Sequence, residues 1–294
     1  MLDSFALILI ANGLLVGMMY ALIALGFVLV YKATEAFNFA QGEFVMTGGF
    51  IAAAAATVLP FWVATLLSIA GLVAFCFGLE RVVLRPLLGR PIIAVIMATI
   101  GVASLLRGVV VLLFGSGTRA LTMPIQQAPI FVGPVMLPPI DIVGAIVSLL
   151  FFGIFTWLFL HTRMGLAMRA VADNQQIASA MGIDVRRYFA LAWAMTGVVS
   201  ALGGVIWGAL LGVDNQLAVV GLKVFPVVIL GGFESVAGAI IGGLVVGVVE
   251  SLSAGYIDPL VGGGTKDFMP YVLMIAVLMV RPYGIFGKAP VQRV

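Results

Sequence analysis

Charge is scarce in this chain. Only 9% of its 294 residues are Asp, Glu, Lys or Arg, and 63% are hydrophobic. A soluble globular domain carries roughly 25% charged residues. A water-soluble fold of this length has nowhere to hide so much apolar surface, at a mean hydropathy of +1.24, whereas a bilayer has. The expected fold class is all-α, a polytopic transmembrane helical bundle. Cysteine and histidine are nearly absent too, at one residue each. Cys76 alone forms no internal disulfide and no metal site, and its apolar surroundings suit a buried small hydrophobe. With His161 alone, no multi-histidine metal site is possible. A Ser–His hydrolase would have to use that same residue at a span end. The chain has no H-E-x-x-H pattern. It also lacks a G-x-x-x-x-G-K-[ST] phosphate loop, so it does not itself hydrolyse ATP, and no catalytic, metal or cofactor-binding residues are assigned. Chains of buried acids, as in proton-driven pumps, are missing as well. The +3 net charge reports membrane topology rather than nucleic-acid binding.

What is present is apolar sequence in long runs. A span needs about 20 largely apolar residues. Eight runs approach that length, at Phe5–Tyr31, Phe44–Pro60, Phe61–Leu79, Ile92–Phe114, Ile140–Leu160, Tyr188–Leu211, Val236–Ala254 and Phe268–Val280. The first follows a leader without Lys or Arg and is too long for a signal-peptide core, so it reads as a retained span. A ninth piece, Leu217–Gly232, is interrupted by Lys223 and Pro226 and reads as a half-helix or broken crossing. The pattern predicts one transmembrane domain over 1–294, with a cytoplasmic loop at 162–187. Arg163, Arg169, Arg186 and Arg187 place that loop inside by the positive-inside rule. Counting the broken piece as a crossing then puts the N-terminus outside and the C-terminus in the cytoplasm. Eleven of the 15 basic residues fall inside, including Lys32, Arg81, Arg85, Arg90, Arg281, Lys288 and Arg293. Arg119 and Lys266 fall outside, and Arg107 and Lys223 stay near or within the membrane. Many of the 36 glycines lie inside the apolar runs. Small-xxx-small pairs at Gly13/Gly17, Gly204/Gly208, Gly208/Gly212, Gly238/Gly242 and Gly243/Gly247 suit close helix contact.

Two polar stretches stand out. In the loop, Asp173 is a good N-cap, with Gln176 at the capping-box spacing. Asn174–Met181 is then a short helix with Gly182 as its stop, and Asp184 caps the next span. Ile177 and Met181, four apart, share one face. A helix this short is unstable alone, so it packs either on the chain's own span ends or on a soluble partner. The second stretch is Asn38-Phe39-Ala40-Gln41-Gly42-Glu43, polar residues and a Gly between apolar runs without a real loop. That pattern suits an unwound or re-entrant segment facing a cavity. Asn38, Gln41, Glu43 and Thr47 are the translocation-pathway candidates, with structural hydrogen bonding as the alternative role. Asn12, Glu80, Ser104, Arg107, Glu234 and Glu250 complete the polar residues in or beside apolar runs.

These motifs resemble those of bacterial branched-chain amino-acid ABC permeases. Asn38-Phe39-Ala40-Gln41-Gly42-Glu43-Phe44 resembles their N-F-A-[HQ]-G-E-F signature, and Tyr20–Gly26 the first-span pattern before it. Met168–Asn174 with Ala180–Ile183 resembles their coupling loop. Gly221-Leu222-Lys223-Val224-Phe225, Leu230–Phe233, Ser235 and Gly238-Ala239 resemble the G-x-K-x-F…L-G-G-x-x-S-x-x-G-A block. Arg281–Gly287 is similar to the R-P-x-G-L-F-G ending. Gln41 stands where many members have His. The resemblance covers nearly the whole chain in motif order. It implies a bacterial inner-membrane importer permease for branched-chain or other hydrophobic amino acids, working by alternating access. Its implied partners are a second homologous permease, two cytoplasmic ATP-binding subunits that hold ATP and Mg, and an extracytoplasmic substrate-binding protein. Asp173, Gln176, Ile177, Met181 and Gly182 are then the ATPase-docking candidates on a coupling helix. A permease for urea, short amides or simple sugars is the alternative within the superfamily. A stand-alone channel or secondary transporter is the alternative outside it.

Overall fold

The computed structural model describes residues 2–87, 90–126, 128–133 and 135–287, with side chains from Phe5 onward. Met1, and the Lys288 and Arg293 of the topology count, lie outside the described residues. The order is α1 (Leu2–Thr34), α2 (Gln41–Ala55), α3 (Phe61–Leu79), α4 (Ile92–Phe114), β1 (Ile130–Val132), β2 (Val135–Leu137), α5 (Pro139–His161), α6 (Arg163–Asp173), α7 (Gln175–Ala180), α8 (Val185–Leu211), α9 (Val219–Gly231), α10 (Val236–Tyr256), α11 (Asp258–Val261) and α12 (Thr265–Val280). The two strands form one antiparallel hairpin, with Ile130 opposite Leu137. Apart from an isolated Arg119–Val213 bridge, the remaining regular structure among the described residues is helical, as expected of a protein whose backbone polar groups must be satisfied without water.

Six helices among the described residues are long and apolar enough to cross a membrane: Phe5–Thr34, Phe61–Leu87, Ile92–Phe114, Pro139–His161, Val185–Leu211 and Val236–Tyr256. The eight apolar runs predict eight full spans, and α2 and α12 make the difference. At 15 residues, α2 is about 22 Å long, short of the ~30 Å hydrocarbon core. Thirteen of those residues are buried in protein, so α2 need not match the lipid thickness. With 16 residues and Pro270 inside, α12 is also short. The piece expected as a half-helix or broken crossing is the 13-residue α9, short but continuous through Lys223 and Pro226.

The contacts group the chain into two compact units, one made of Met1–Val28, Ile125–Leu149 and Leu222–Val294, the other of Leu29–Pro124 and Leu150–Gly221. The boundaries fall within α1, α5 and α9 and between α4 and β1, and no composition shift marks those inside helices.

In the first unit, glycines set the helix separations. A Cβ on Gly13 would lie 2.7 Å from the Gly247 carbonyl oxygen, and one on Gly17 would lie 2.6 Å from that of Gly243. The small-xxx-small pairs of α1 and α10 therefore face each other across a backbone-to-backbone crossing. Ser235 caps α10, its hydroxyl accepting the Gly238 N–H at 2.9 Å. The motif at Arg281–Gly287 folds back on the end of α9. There the Ile285 N–H donates to the Leu230 carbonyl at 2.8 Å. Gly284 makes that return possible with φ +78°, a backbone region that other residues rarely enter.

In the second unit, α2 packs on both α3 and α8. A Cβ on Gly48 would lie 2.9 Å from the Ala201 Cα, and one on Gly204 would lie 2.6 Å from the Gly49 nitrogen. The Ser68 hydroxyl of α3 donates to the Gly48 carbonyl at 2.7 Å. Beyond α3 the helix widens into one π turn at Glu80–Leu84. The buried Glu80 there accepts two bonds from Arg85, at 3.0 and 3.2 Å. Outward-facing apolar side chains crowd α3 and α5, as lipid contact requires.

Gly247→Leu should force the α1–α10 crossing apart and cost about 1–3 kcal/mol, the range for overpacking a filled core. Gly153→Leu, at a glycine with nothing within 4 Å, should leave stability unchanged. Thermal unfolding of the two purified variants in detergent checks the contrast.

Candidate functional site

The break between α1 and α2 is where the chain departs from helix inside an apolar sequence. It begins at Glu35, with φ +55°, and ends as α2 starts at Gln41. Asn38 makes the turn. Its Oδ1 accepts the Ala40 N–H at 3.1 Å, the local side-chain bond by which Asn competes with helix. The segment is unwound, as its composition suggests, and its polar groups find partners within the protein. Asn38 Nδ2 donates to Gln41 Oε1 at 3.2 Å, and Gln41 Nε2 donates to the Ser200 hydroxyl of α8 at 3.0 Å. Ser200 in turn donates to the Thr196 carbonyl at 2.8 Å. The Phe39 N–H donates to the Thr99 hydroxyl of α4 at 3.3 Å. Gly42 passes so close to Gly221 that a Cβ on the latter would lie 2.6 Å from the Gly42 nitrogen.

One turn on, Glu43 and Arg107 meet. Arg107 Nη2 lies 2.7 Å from Glu43 Oε1, with side-chain exposures of 54% for the arginine and 10% for the glutamate. Thr47 sits one turn further along α2, its hydroxyl donating to the Glu43 carbonyl at 2.6 Å. A cavity of about 720 Å³ opens beside the pair, lined by Phe39, Glu43 and the α4 residues Ile100, Ala103, Ser104, Arg107, Gly108, Val111 and Leu112. Of the four pathway candidates, only Glu43 is among these. Asn38 and Gln41 are fully buried in the network behind it, and Thr47 is buried along α2. Arg107 was legible as a charge in an apolar run, but its partner 64 residues away was not. Ser200 carried no signal, since serine is ordinary in a membrane helix.

The docking candidates lie at the other end of α8. Here the structure moves the cap by one residue. Asn174, not Asp173, is extended, with φ −161° and ψ 108°. Its Oδ1 accepts the Ile177 N–H at 2.9 Å. Asp173 instead ends α6, a helix capped by Thr162. Adjacent Asp and Asn are equally good caps, and the choice falls to the residue where α6 stops. The capping box of Asp173 and Gln176 is therefore not formed. The Gly182 stop is formed, at φ +82°, with the Ile183 N–H donating to the Ala178 carbonyl at 3.0 Å. Asp184 caps α8. The helix pair packs inward on the chain's own spans, with Val171 and Ala178 buried among Ala33, Phe189 and Ala192. Gln175 Nε2 donates to the Ala33 carbonyl at 3.1 Å, and the Arg169 guanidinium stacks over the Phe159 ring. Asp173, Gln176 and Gly182 face outward, as do Ile177 at 60% exposed and Met181 at 78%.

A further charged cluster lies in the first unit, made of residues scattered along the sequence. Lys223 of α9 lies 2.6 Å from Asp267 and 3.5 Å from Glu250. It ties α9 to α10 and α12.

Residues 9–278 match the family described as the permease component of the branched-chain amino acid transport system. The chain is 33% identical over 300 residues to the high-affinity branched-chain amino acid transport system permease protein LivH of Salmonella typhimurium, covering 96% of each chain. It is 32% identical over 302 residues to the corresponding protein BraD of Pseudomonas aeruginosa, covering 97% of each. To the probable LivH of Methanocaldococcus jannaschii it is 29% identical over 284 residues, covering 90% of this chain and 88% of the relative.

Gln41→Leu removes the acceptor of Asn38 and the donor to Ser200 and leaves the buried Asn38 amide without its bond. Such a loss costs about 1–3 kcal/mol. The expected result is a lower melting temperature in detergent, partly recovered when Asn38→Ala is added, as a double-mutant cycle would read.

Proposed function

This chain belongs to the permease family of the branched-chain amino acid transport system, and on that premise we propose that it carries branched-chain or other hydrophobic amino acids inward as the permease of an ATP-driven importer. Its partners in this reading are a second homologous permease, two cytoplasmic ATP-binding subunits that hold ATP and Mg, and an extracytoplasmic binding protein. The N-terminus lies outside and the C-terminus in the cytoplasm.

The observation that carries the reading is the outer face of α7. A six-residue helix capped at both ends, seated on span ends by one face, leaves Ile177 and Met181 outward. An exposed apolar pair on a rigid, well-anchored turn is the form of a helix-in-groove contact. The helix sits two caps away from α8, which runs from Asp184 to the membrane-embedded polar network at Gln41 and Ser200. Force applied at α7 reaches α8 directly through the shared buried residues Ala178 and Phe189. In an alternating-access cycle, the ATP-bound and ATP-free states of the docked subunits would bias which side of the pathway is open. The pathway itself is assigned to the α2–α4 cavity. A guanidinium in mid-span is costly against lipid, and Arg107 is half exposed on that face.

Replacing Ile177 and Met181 together with Asp should lower recovery of ATP-binding subunits in co-purification at least about tenfold, equivalent to about 1.4 kcal/mol of contact energy. The chain should still reach the membrane. Wild-type recovery in the double variant would remove α7 as the docking element. Uptake by the reconstituted importer of a panel of amino acids, short amides and simple sugars tests the substrate class.

A further inference from the structure

We infer that the Glu43–Arg107 pair is the recognition element for the zwitterionic head of a free α-amino acid. In this arrangement the substrate ammonium binds Glu43, its carboxylate binds Arg107, and its apolar side chain lies along α4. The inference rests on the importer reading above and adds the residues and the chemical class they select.

Four observations carry it. The first is position. The pair sits on the wall of a cavity of about 720 Å³, within the usual range of ligand pockets of about 300–1,000 Å³, and not in the packed interior with Asn38 and Gln41. The second is unused capacity. A guanidinium has five N–H donors and a carboxylate two acceptor oxygens, and the pair spends one nitrogen and one oxygen on each other. The third is asymmetry. Glu43 is held in the first turn of the buried α2, where the helix dipole favours a carboxylate. Arg107 projects, at 54% exposed. A ligand can thus approach the arginine without disturbing the α2 packing. The fourth is the lining. Phe39, Ile100, Val111 and Leu112 give the cavity apolar walls, and Ala103 and Gly108 leave room between them.

Charge balance then selects the ligand. An ion pair inside a protein is often no more stabilising than apolar residues of the same volume, while separating its members leaves two uncompensated charges. A lone cation or anion that engages one member strands the other. A neutral amide or sugar offers neither charge. A zwitterion brings both signs at once, so ammonium and carboxylate each find a partner and the array stays neutral. Orientation follows from the same geometry, because the buried glutamate and the projecting arginine fix which end of the substrate points where. The contact discriminates through the penalty it places on wrong ligands as much as through attraction.

The test is uptake of radiolabelled L-leucine by the complete importer in liposomes, with one preparation of binding protein throughout. The variants are Glu43→Gln, Arg107→Gln, and the swap of Glu43→Arg with Arg107→Glu. Co-purification of the other subunits reports assembly. Each single variant is expected to lower leucine uptake at least about tenfold. The swap restores an ion pair in the same place but inverts its polarity, so uptake is expected to stay low in the assembled complex. Wild-type uptake in either single variant, or restored uptake in the swap, would overturn the inference and leave the importer reading intact. A single variant that fails to assemble is covered by the swap, which keeps the charges paired. Failure of the wild-type complex to import any amino acid would instead overturn the importer reading and this inference with it.

Discussion

Hydrocarbon offers no partner to a peptide group or a charge, so every departure from helix in a membrane protein must be enclosed by the protein itself. The α1–α2 break depends on this constraint. Residues between Thr34 and Gln41 leave the helix; the freed N–H groups of Phe39 and Ala40 are met by Thr99 and Asn38, the Asn38 side chain by Gln41, and the Gln41 side chain by Ser200. That solution requires α2 to be surrounded. Glycines at 42, 48, 49 and 204 let Gly221, α3 and α8 close around it. The result is a short, buried helix whose first turn presents Glu43 to an open cavity. Without the tight glycine contacts, the break would be exposed and its polar groups unsatisfied.

The same helix, α8, serves both ends of the second unit. Its first turn is capped by Asp184 and packs with α6 and α7. Its middle bears Thr196 and Ser200, which hold Gln41. A displacement of the α6–α7 pair is therefore applied to the element that fixes the start of α2. This is contiguity of packed and hydrogen-bonded parts, and it becomes coupling where the two ends have two arrangements that a ligand biases differently. The uncharged network at Gln41 suits that role, because neutral hydrogen bonds are easier to remake than a buried ion pair is to separate.

The unwound segment, the small-residue spacing of α1 and α10, the Gly182 stop and the Asp184 cap were all legible from residue type and spacing, whereas the break expected at Pro226 is not there, since α9 runs through that residue. The legible features are local properties: Asn competes with its own backbone, Gly permits close approach, and Asp caps a helix start. The cap at Asn174 was misplaced by one residue because Asp173 and Asn174 have the same local merit. What separates them is where α6 runs out, which depends on packing against Ala33 and Phe189 from distant parts of the chain. Two of the eight apolar runs, those of α2 and α12, form shorter helices than a full span for a related reason. An apolar run reports distance from water and does not say whether lipid or protein provides the shelter, and α2 is sheltered by protein.

The sequence by itself determined the membrane setting, the helical class and the stretches that bear polar groups. All of these follow from composition and short-range pattern, and the bilayer enforces them on any chain so apolar. Only the tertiary structure decided which polar residues meet. Glu43 finds Arg107 across 64 positions and Gln41 finds Ser200 across 159, while Asn38 turns inward and Lys223 is matched with Asp267. Hydrogen-bond and ion-pair partners are chosen by which helix faces the glycine contacts bring together, and no periodicity along the chain records that choice.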